Sequence, residues 1–156
     1  MCAHSSHANV RILLVEDDPA DVALARRGFS RAGLGCGLHV VEDGADALAF
    51  LRREGQHGSA PRPDLILIDL NMPRMDGFEF LRAVKGDPQL CSIPVLVLTT
   101  SDSQQDVLSA YQHHANAYVT KPGDFQEFVD LIGGIAAFWM GLARLPERAA
   151  ATCSKV

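Results

Sequence analysis

Three acids, a hydroxyl residue and a lysine stand where apolar runs end. Residues 10–15 (VRILLV) lead into Glu16 and Asp17, residues 65–68 (LILI) into Asp69, residues 95–98 (VLVL) into Thr99, and residues 117–119 (AYV) towards Lys121. Short unbroken runs of Val, Ile and Leu are what strands buried on both faces of a parallel sheet look like. All strand C-termini of such a sheet lie on one edge, and ligands bind there where the strand order reverses. These side chains are therefore expected to meet. Carboxylates that crowd together raise one another's pKa unless a cation neutralises them. Mg²⁺ suits that need, because it is hard, takes oxygen ligands and keeps several waters. Lys121 is suited to neutralise an oxygen of Asp69 or of a phosphoryl group, and the Thr99 hydroxyl can bond phosphoryl oxygens. The implied chemistry is that of a divalent cation and a phosphoryl group. Lys121 precedes Pro122, and X-Pro bonds adopt cis at modest cost. A cis Lys121–Pro122 bond is expected here, turning the lysine back towards Asp69.

The elements that must position these groups alternate strand with helix. After the first strand, Asp18 caps a helix with Pro19 at its first position and Asp21 in its first turn. That helix carries Val22, Leu24, Ala25 and Phe29, and residues 33–37 end it. A short second strand follows over residues 37–41. Asp43, Gly44 and Asp46 open a helix with Leu48, Phe50 and Leu51, and residues 52–63 (RREGQHGSAPRP) form a polar loop before the third strand. Asp76 with Glu79 is a capping-box pattern ahead of Phe80, Leu81 and Val84. Ser103 with Asp106 opens a fourth helix, and Asp124 with Glu127 a fifth. The order is βα five times over, with no internal repeat and no interdomain linker.

Composition agrees with one domain. The chain has 156 residues, long enough for a sizeable core. A net charge of −5 without a dense Lys/Arg stripe argues against nucleic acid as a partner. Cys2, Cys36, Cys91 and Cys153 are scattered with no CxxC pair, so free thiols in a reducing cytosol are expected. No run reads as long enough to span a membrane, and residues 1–9, with His4 and His7, read as a disordered leader without the apolar core of a signal peptide. The last residues, 146–156, are small and polar and are expected to fray. There is no Gly-rich phosphate loop of the P-loop or dinucleotide kind. No catalytic Ser–His pair is supported: His113 and His114 fall on a predicted helix. Met72 and Met75 flank the Asp69 loop as packing residues.

Taken in order, these residues resemble the receiver domain of two-component response regulators. The likeness rests on Glu16–Asp17, on Asp69 in DLNMPRMDG, on Thr99 in LTTSD, and on Tyr118 with Lys121–Pro122 in AYVTKP. It implies an α/β, flavodoxin-like, doubly wound (βα)5 parallel sheet of strand order 2-1-3-4-5. It implies Asp69 as phosphoacceptor. Asp17, Asp69 and the backbone carbonyl of Asn71 would bind Mg²⁺ directly, with Glu16 acting through water. Lys121 and Thr99 would hold the phosphoryl oxygens, and Tyr118 would turn inward as Thr99 moves. Glu16 stands where receivers more often carry Asp, and Thr100 where Ala or Gly is common, so its bulk would crowd attacking water. The loop before the third strand, the GDPQLCSIPVLVLTTS segment and Phe138–Trp139 followed by LARLP are similar to single-domain regulators paired with bacterial phytochrome kinases. The expectation is then a cytoplasmic phosphoacceptor switch, not an enzyme beyond slow self-catalysed phosphorylation and dephosphorylation. Its partner would be a histidine kinase, a bacteriophytochrome by the narrower likeness, with neither nucleic acid nor membrane as partner. An aspartyl phosphatase would need a general acid two residues past the nucleophile, and Asn71 there cannot protonate a leaving group. A pseudo-receiver would have lost the acids or the lysine.

The expected layout is a leader over 1–9, a receiver over 10–138 and a C-terminal helical extension with tail over 139–156. The tail is too short for a DNA-binding module. Phe125, Phe128, Ile132, Ile135 and Trp139 follow helical spacing and should face the sheet, while Leu131, Phe138 and Leu142 continue on an adjacent face. So wide an apolar surface points to a homodimer interface containing Leu131, Phe138 and Leu142.

Overall fold

The computed structural model describes residues 10–34 and 37–147. Five strands, β1 (Ile12–Val15), β2 (Leu38–Val41), β3 (Leu65–Ile68), β4 (Val95–Thr99) and β5 (Ala117–Thr120), alternate with five helices. These are α1 (Pro19–Arg31), α2 (Gly44–Arg52), α3 (Gly77–Gly86), α4 (Gln104–Gln112) and α5 (Phe125–Ala136). All strands pair in parallel in the order β2-β1-β3-β4-β5. The expected doubly wound fold is therefore the observed one. Strand order reverses between β1 and β3, which puts the ends of those two strands side by side.

Apolar runs rather than alternating patterns form the central strands because both faces of the sheet are covered. Ile12, Leu14, Leu65, Leu67, Leu96 and Leu98 pack under α1 and α5 with Phe29, Phe128 and Ile132. Leu13, Val15, Ile66, Ile68, Val95 and Val97 pack on the other face with Ala47, Phe50, Phe80, Leu81 and Ala110. Each helix begins at its expected cap. Side chains of Asp18, Asp43, Asp76, Ser103 and Asp124 accept from backbone N–H groups in the first turns of α1 to α5. Such caps satisfy helix N–H groups that have no intrahelical partner.

Several boundaries and faces differ from expectation. β1 starts at Ile12 rather than residue 10, because the Arg11 N–H is taken by the Asp64 carboxylate at 2.9 Å. A short 3₁₀ turn, Gly55–His57, interrupts the loop after α2. His113 caps the C-terminus of α4, and His114 lies beyond it in the left-handed region at φ 69°. Phe125 does not face the sheet. It is the first residue of α5, above the edge of the sheet, and is 73% exposed, whereas Phe128, Ile132 and Ile135 are buried and Trp139 is partly buried against the core. α5 continues through a π-helical turn, Ala137–Leu142.

That continuation corrects the membrane reading. Phe125–Leu142 is a helix long and apolar enough, by length and composition, to cross a membrane, with mean hydropathy 1.2. Its inner residues are nevertheless built into the core beside α1. The cysteine reading is also corrected. Cys91 is disulfide-bonded and not a free thiol, while Cys2, Cys36 and Cys153 lie outside the described residues. Spacing along the chain does not limit which cysteines a fold brings together. The leader over 1–9 and the end of the tail lie outside the described residues.

Candidate functional site

The site forms at the β1/β3 edge. β1 delivers Glu16, whose backbone N–H continues the ladder to Val41 O at 2.9 Å. β3 delivers Asp69, whose N–H donates to Val15 O at 3.3 Å. Beyond β5, the Lys121 N–H donates to Thr99 O at 2.7 Å, so the strand ladder itself roots the lysine. No cis peptide bond occurs among the described residues, so the expected cis Lys121–Pro122 bond is trans. The long lysine stem, anchored at its root by the ladder, reaches Asp69 without it.

Lys121 Nζ donates to Glu16 Oε2 at 2.5 Å, Asp21 Oδ2 at 2.8 Å and Asp69 Oδ2 at 2.9 Å. Its three N–H donors thus meet three carboxylates. Glu16 and Lys121 are buried, at 3% and 8% exposure. Burial alone would lower the Lys121 pKa, but the bonds to Asp21, Glu16 and Asp69 raise it above its ordinary value of 10.5. Burial pushes the Glu16 carboxyl up, and Lys121 offsets this only in part. Three carboxylates against one ammonium leave negative charge in excess at this point. The same excess favours a cation.

Asp17 is exposed at the rim, and Asn71, also exposed, donates its backbone N–H to Asp69 Oδ1 at 3.1 Å. Among the described residues no group of three or more His, Cys, Asp or Glu side chains is gathered as a metal cage. Glu16 is committed to Lys121 and to the Asp18 N–H, at 3.1 Å. The remaining donor set, Asp17, Asp69 and the Asn71 carbonyl, suits an ion that takes one or two carboxylates and keeps its waters. Thr99 is fully buried at the end of β4, and its Oγ1 accepts from the Ser101 N–H at 3.4 Å. Tyr118 Oη donates to the Ser101 carbonyl at 2.8 Å. Thr99 and Tyr118 are thus joined through Ser101.

Two contacts were not legible from the motifs. By sequence Asp21 is only an acid in the first turn of α1, and nothing in its spacing points to the lysine a hundred residues on. The second is a tie across the loop that follows Asp69. Arg74 Nε donates to Asp43 Oδ2 at 2.7 Å, and Arg74 Nη2 donates to the same oxygen. Arg74 sits at φ 68°, a left-handed conformation that a non-glycine residue keeps only when neighbours hold it. Gly77 closes this loop against the site: a Cβ there would lie 2.8 Å from Leu70 Cα and 2.9 Å from the Asp69 carbonyl oxygen. Burial alone would raise the Asp43 carboxyl, but the Asp46 N–H and the Arg74 guanidinium outweigh it and hold it below 3.8. A depressed carboxylate stabilises the fold above its unfolded pKa, and that stability is lost as pH falls through its folded value. Asp43→Ala should cost about 1–2 kcal/mol near neutral pH through the lost cap. Asp43→Asn should flatten the acid limb of a stability–pH curve below pH 3.8. Urea melts across pH 2–7, roughly the carboxylate range, check both.

A family model described as the response regulator receiver domain matches residues 12–133. The chain belongs to that family. The receiver is 42% identical over 135 residues to response regulator Rcp1 of Synechocystis sp., covering 86% of this chain and 92% of Rcp1. A crystal structure of the phosphorylated cyanobacterial phytochrome response regulator RcpA superposes with TM-score 0.86 at 41% identity, covering 90% of the receiver and 100% of that chain. The Mn²⁺-bound form of Rcp1 matches with TM-score 0.82 at 40% identity, over 88% and 99% of the two chains. The receiver is thus a homologue of phytochrome response regulators, with a phosphoacceptor role in two-component signalling.

Proposed function

We propose that this receiver takes a phosphoryl group on Asp69 from a histidine kinase of the phytochrome kind and signals through a conformational switch and protein contact. The observation that carries this is the Lys121 ammonium shared between Asp69 and two further carboxylates at the strand-order reversal. An Asp69 carboxylate oxygen attacks phosphorus in line as the bond from phosphorus to the donor histidine nitrogen breaks. The attacking oxygen carries no proton, so no protein base is needed. Lys121 neutralises charge on the transferred group, the kind of stabilisation on which phosphoryl transfer depends. Mg²⁺, held by Asp17, Asp69 and the Asn71 carbonyl with Glu16 acting through water, would supply further charge neutralisation. Drawing the Thr99 hydroxyl to a phosphoryl oxygen would withdraw it from the Ser101 N–H and so disturb the loop that Tyr118 grips. The protein acts as an acceptor and switch rather than an enzyme, at most speeding its own slow phosphorylation and dephosphorylation, in the cytoplasm.

The test is transfer from an autophosphorylated phytochrome-type kinase, followed as acid-labile label on the receiver. No label from that kinase, nor from a small phosphodonor, would refute the reading. Asp17→Ala is expected to weaken Mg²⁺ binding by about tenfold or more, since even outer-shell partners of a metal cost that much. An unchanged Mg²⁺ titration would remove Asp17 from the ligand set.

We also infer that residues 10–138 act as the receiver and 139–156 as an extension serving a homodimer. Phe138 and Leu142 are 51% and 80% exposed, while Leu131 is partly buried against its own core. Beside them a groove of about 550 Å³ is lined by Leu96, Ala117, Leu131, Ile135 and Trp139 among others. Knob and hole on one surface suit a two-fold interface, in which each copy offers the same patch. Sedimentation at micromolar concentration should give a dimer, and Phe138→Glu with Leu142→Glu a folded monomer. A wild type that stays monomeric with or without phosphorylation would confine the extension to its own core.

A further inference from the structure

Asp21 touches the reacting lysine, and none of the motifs of the site includes it. It belongs to the first turn of α1, and its Oδ2 accepts from Lys121 Nζ at 2.8 Å, shorter than the bond from Nζ to Asp69 Oδ2 at 2.9 Å. The lysine is fixed at its root by the bond from its N–H to Thr99 O, and its stem is flexible between root and tip. At the tip an ammonium has three donors and no directional preference among acceptors of like charge. Glu16, from β1, anchors one donor from the buried side, and Asp21, from α1, anchors a second from the solvent side, where its side chain is 24% exposed. The third donor is thereby left for Asp69.

We propose that Asp21 is a positioning residue for phosphoryl transfer: with Glu16 it clamps the Lys121 ammonium so that its remaining N–H is aimed at Asp69 and at the phosphoryl oxygen that Asp69 receives. The proposal rests on Asp69 as the phosphoacceptor and Lys121 as the group that neutralises the transferred charge. A single anchor at Glu16 would leave the tip free to turn about that bond towards solvent. Misplacement of a reacting group by about 1 Å can cost a hundredfold in rate. A clamp of this kind affects how fast bound phosphodonor reacts and leaves donor affinity largely alone. The competing account is that Asp21 is only an acid at a helix N-terminus, favourable to the helix dipole. That account predicts a change in stability and none in the reaction.

The experiment compares wild type, Asp21→Ala, Asp21→Asn, Asp21→Glu and Asp69→Asn with phosphoramidate as donor at saturating Mg²⁺, following the aspartyl phosphate by intact-mass spectrometry. Asp21→Ala is expected to lower the maximal rate about ten- to a hundredfold. Half-saturating phosphoramidate should change less than about threefold, as expected when an interaction acts in the transition state rather than in binding. Asp21→Glu, whose extra methylene has room at the partly exposed position, should recover most of the rate. Asp21→Asn keeps the size and one acceptor oxygen and should show a smaller loss in the same parameter, which keeps the test open if the Ala variant does not fold. A maximal rate within about twofold of wild type in both the Ala and Asn variants, with or without a lower melting temperature, would overturn the proposal. Label retained by Asp69→Asn would instead overturn the assignment of the site, and the proposal with it.

Discussion

Asp69→Asn should abolish phosphoryl uptake. The amide is isosteric with the carboxylate, so the loop beyond β3 should keep its bond from the Asn71 N–H, which lies 3.1 Å from Asp69 Oδ1 in the wild type. What the variant lacks is an anionic oxygen to attack phosphorus. Uptake from either a kinase or a small phosphodonor should fall to background, a loss of about three orders of magnitude or more, on the scale of removing an essential nucleophile. The variant should remain folded, because one carboxylate fewer relieves the excess negative charge around Lys121. Intact-mass spectrometry with thermal melting separates the two effects. Labelling at the wild-type level would show that the acceptor lies elsewhere.

Lys121→Met should give the largest loss of stability of any substitution at the site. The lysine is the cation for three carboxylates, and Glu16 is almost wholly out of water. Breaking a buried ion pair by removing one partner costs about 3–5 kcal/mol, because the remaining charge is stranded. The loss should depend on pH in a defined direction. In the wild type the raised Lys121 pKa contributes stability that is fully present below 10.5 and is lost as pH rises through the folded value. In the variant the stranded Glu16, already raised above 4.5, moves further up. A carboxyl raised in the folded state binds more protons folded than unfolded, so stability should fall as pH rises from 4.5 through that higher value. Lys121→Met should therefore be closest to wild type in mild acid and furthest from it at neutral pH. Added Mg²⁺ should restore part of the difference. Denaturant melts at several pH values, with and without Mg²⁺, read both effects. A deficit independent of pH would show that the lysine stem matters for packing and its charge does not.

The sequence by itself determined the layers and most of the chemistry. Unbroken apolar runs such as LILI can be buried only where both sheet faces are covered, and cap residues such as Asp18, Asp43 and Asp124 mark helix starts through local hydrogen bonds. Both signals act over a few residues, so both can be read along the chain. Glu16, Asp69 and Lys121 were also legible, because the end of a parallel strand has one destination. The tertiary structure alone decided how Lys121 reaches Asp69. The lysine is aimed by a ladder bond to Thr99 and by a carboxylate on α1, across a hundred residues of chain, and not by a cis proline. It alone decided that Asp21 faces the lysine rather than water, that Arg74 ties the Asp69 loop to Asp43, and that Cys91 is bonded. It also left Phe125, the first residue of α5, 73% exposed, while Phe128 and Ile132 further along the helix are buried. These outcomes depend on which atoms from distant segments arrive within about 3 Å of each other, the range of a hydrogen bond. Residue type and spacing limit the candidates for such contacts; only the packed arrangement of helices on the sheet selects among them.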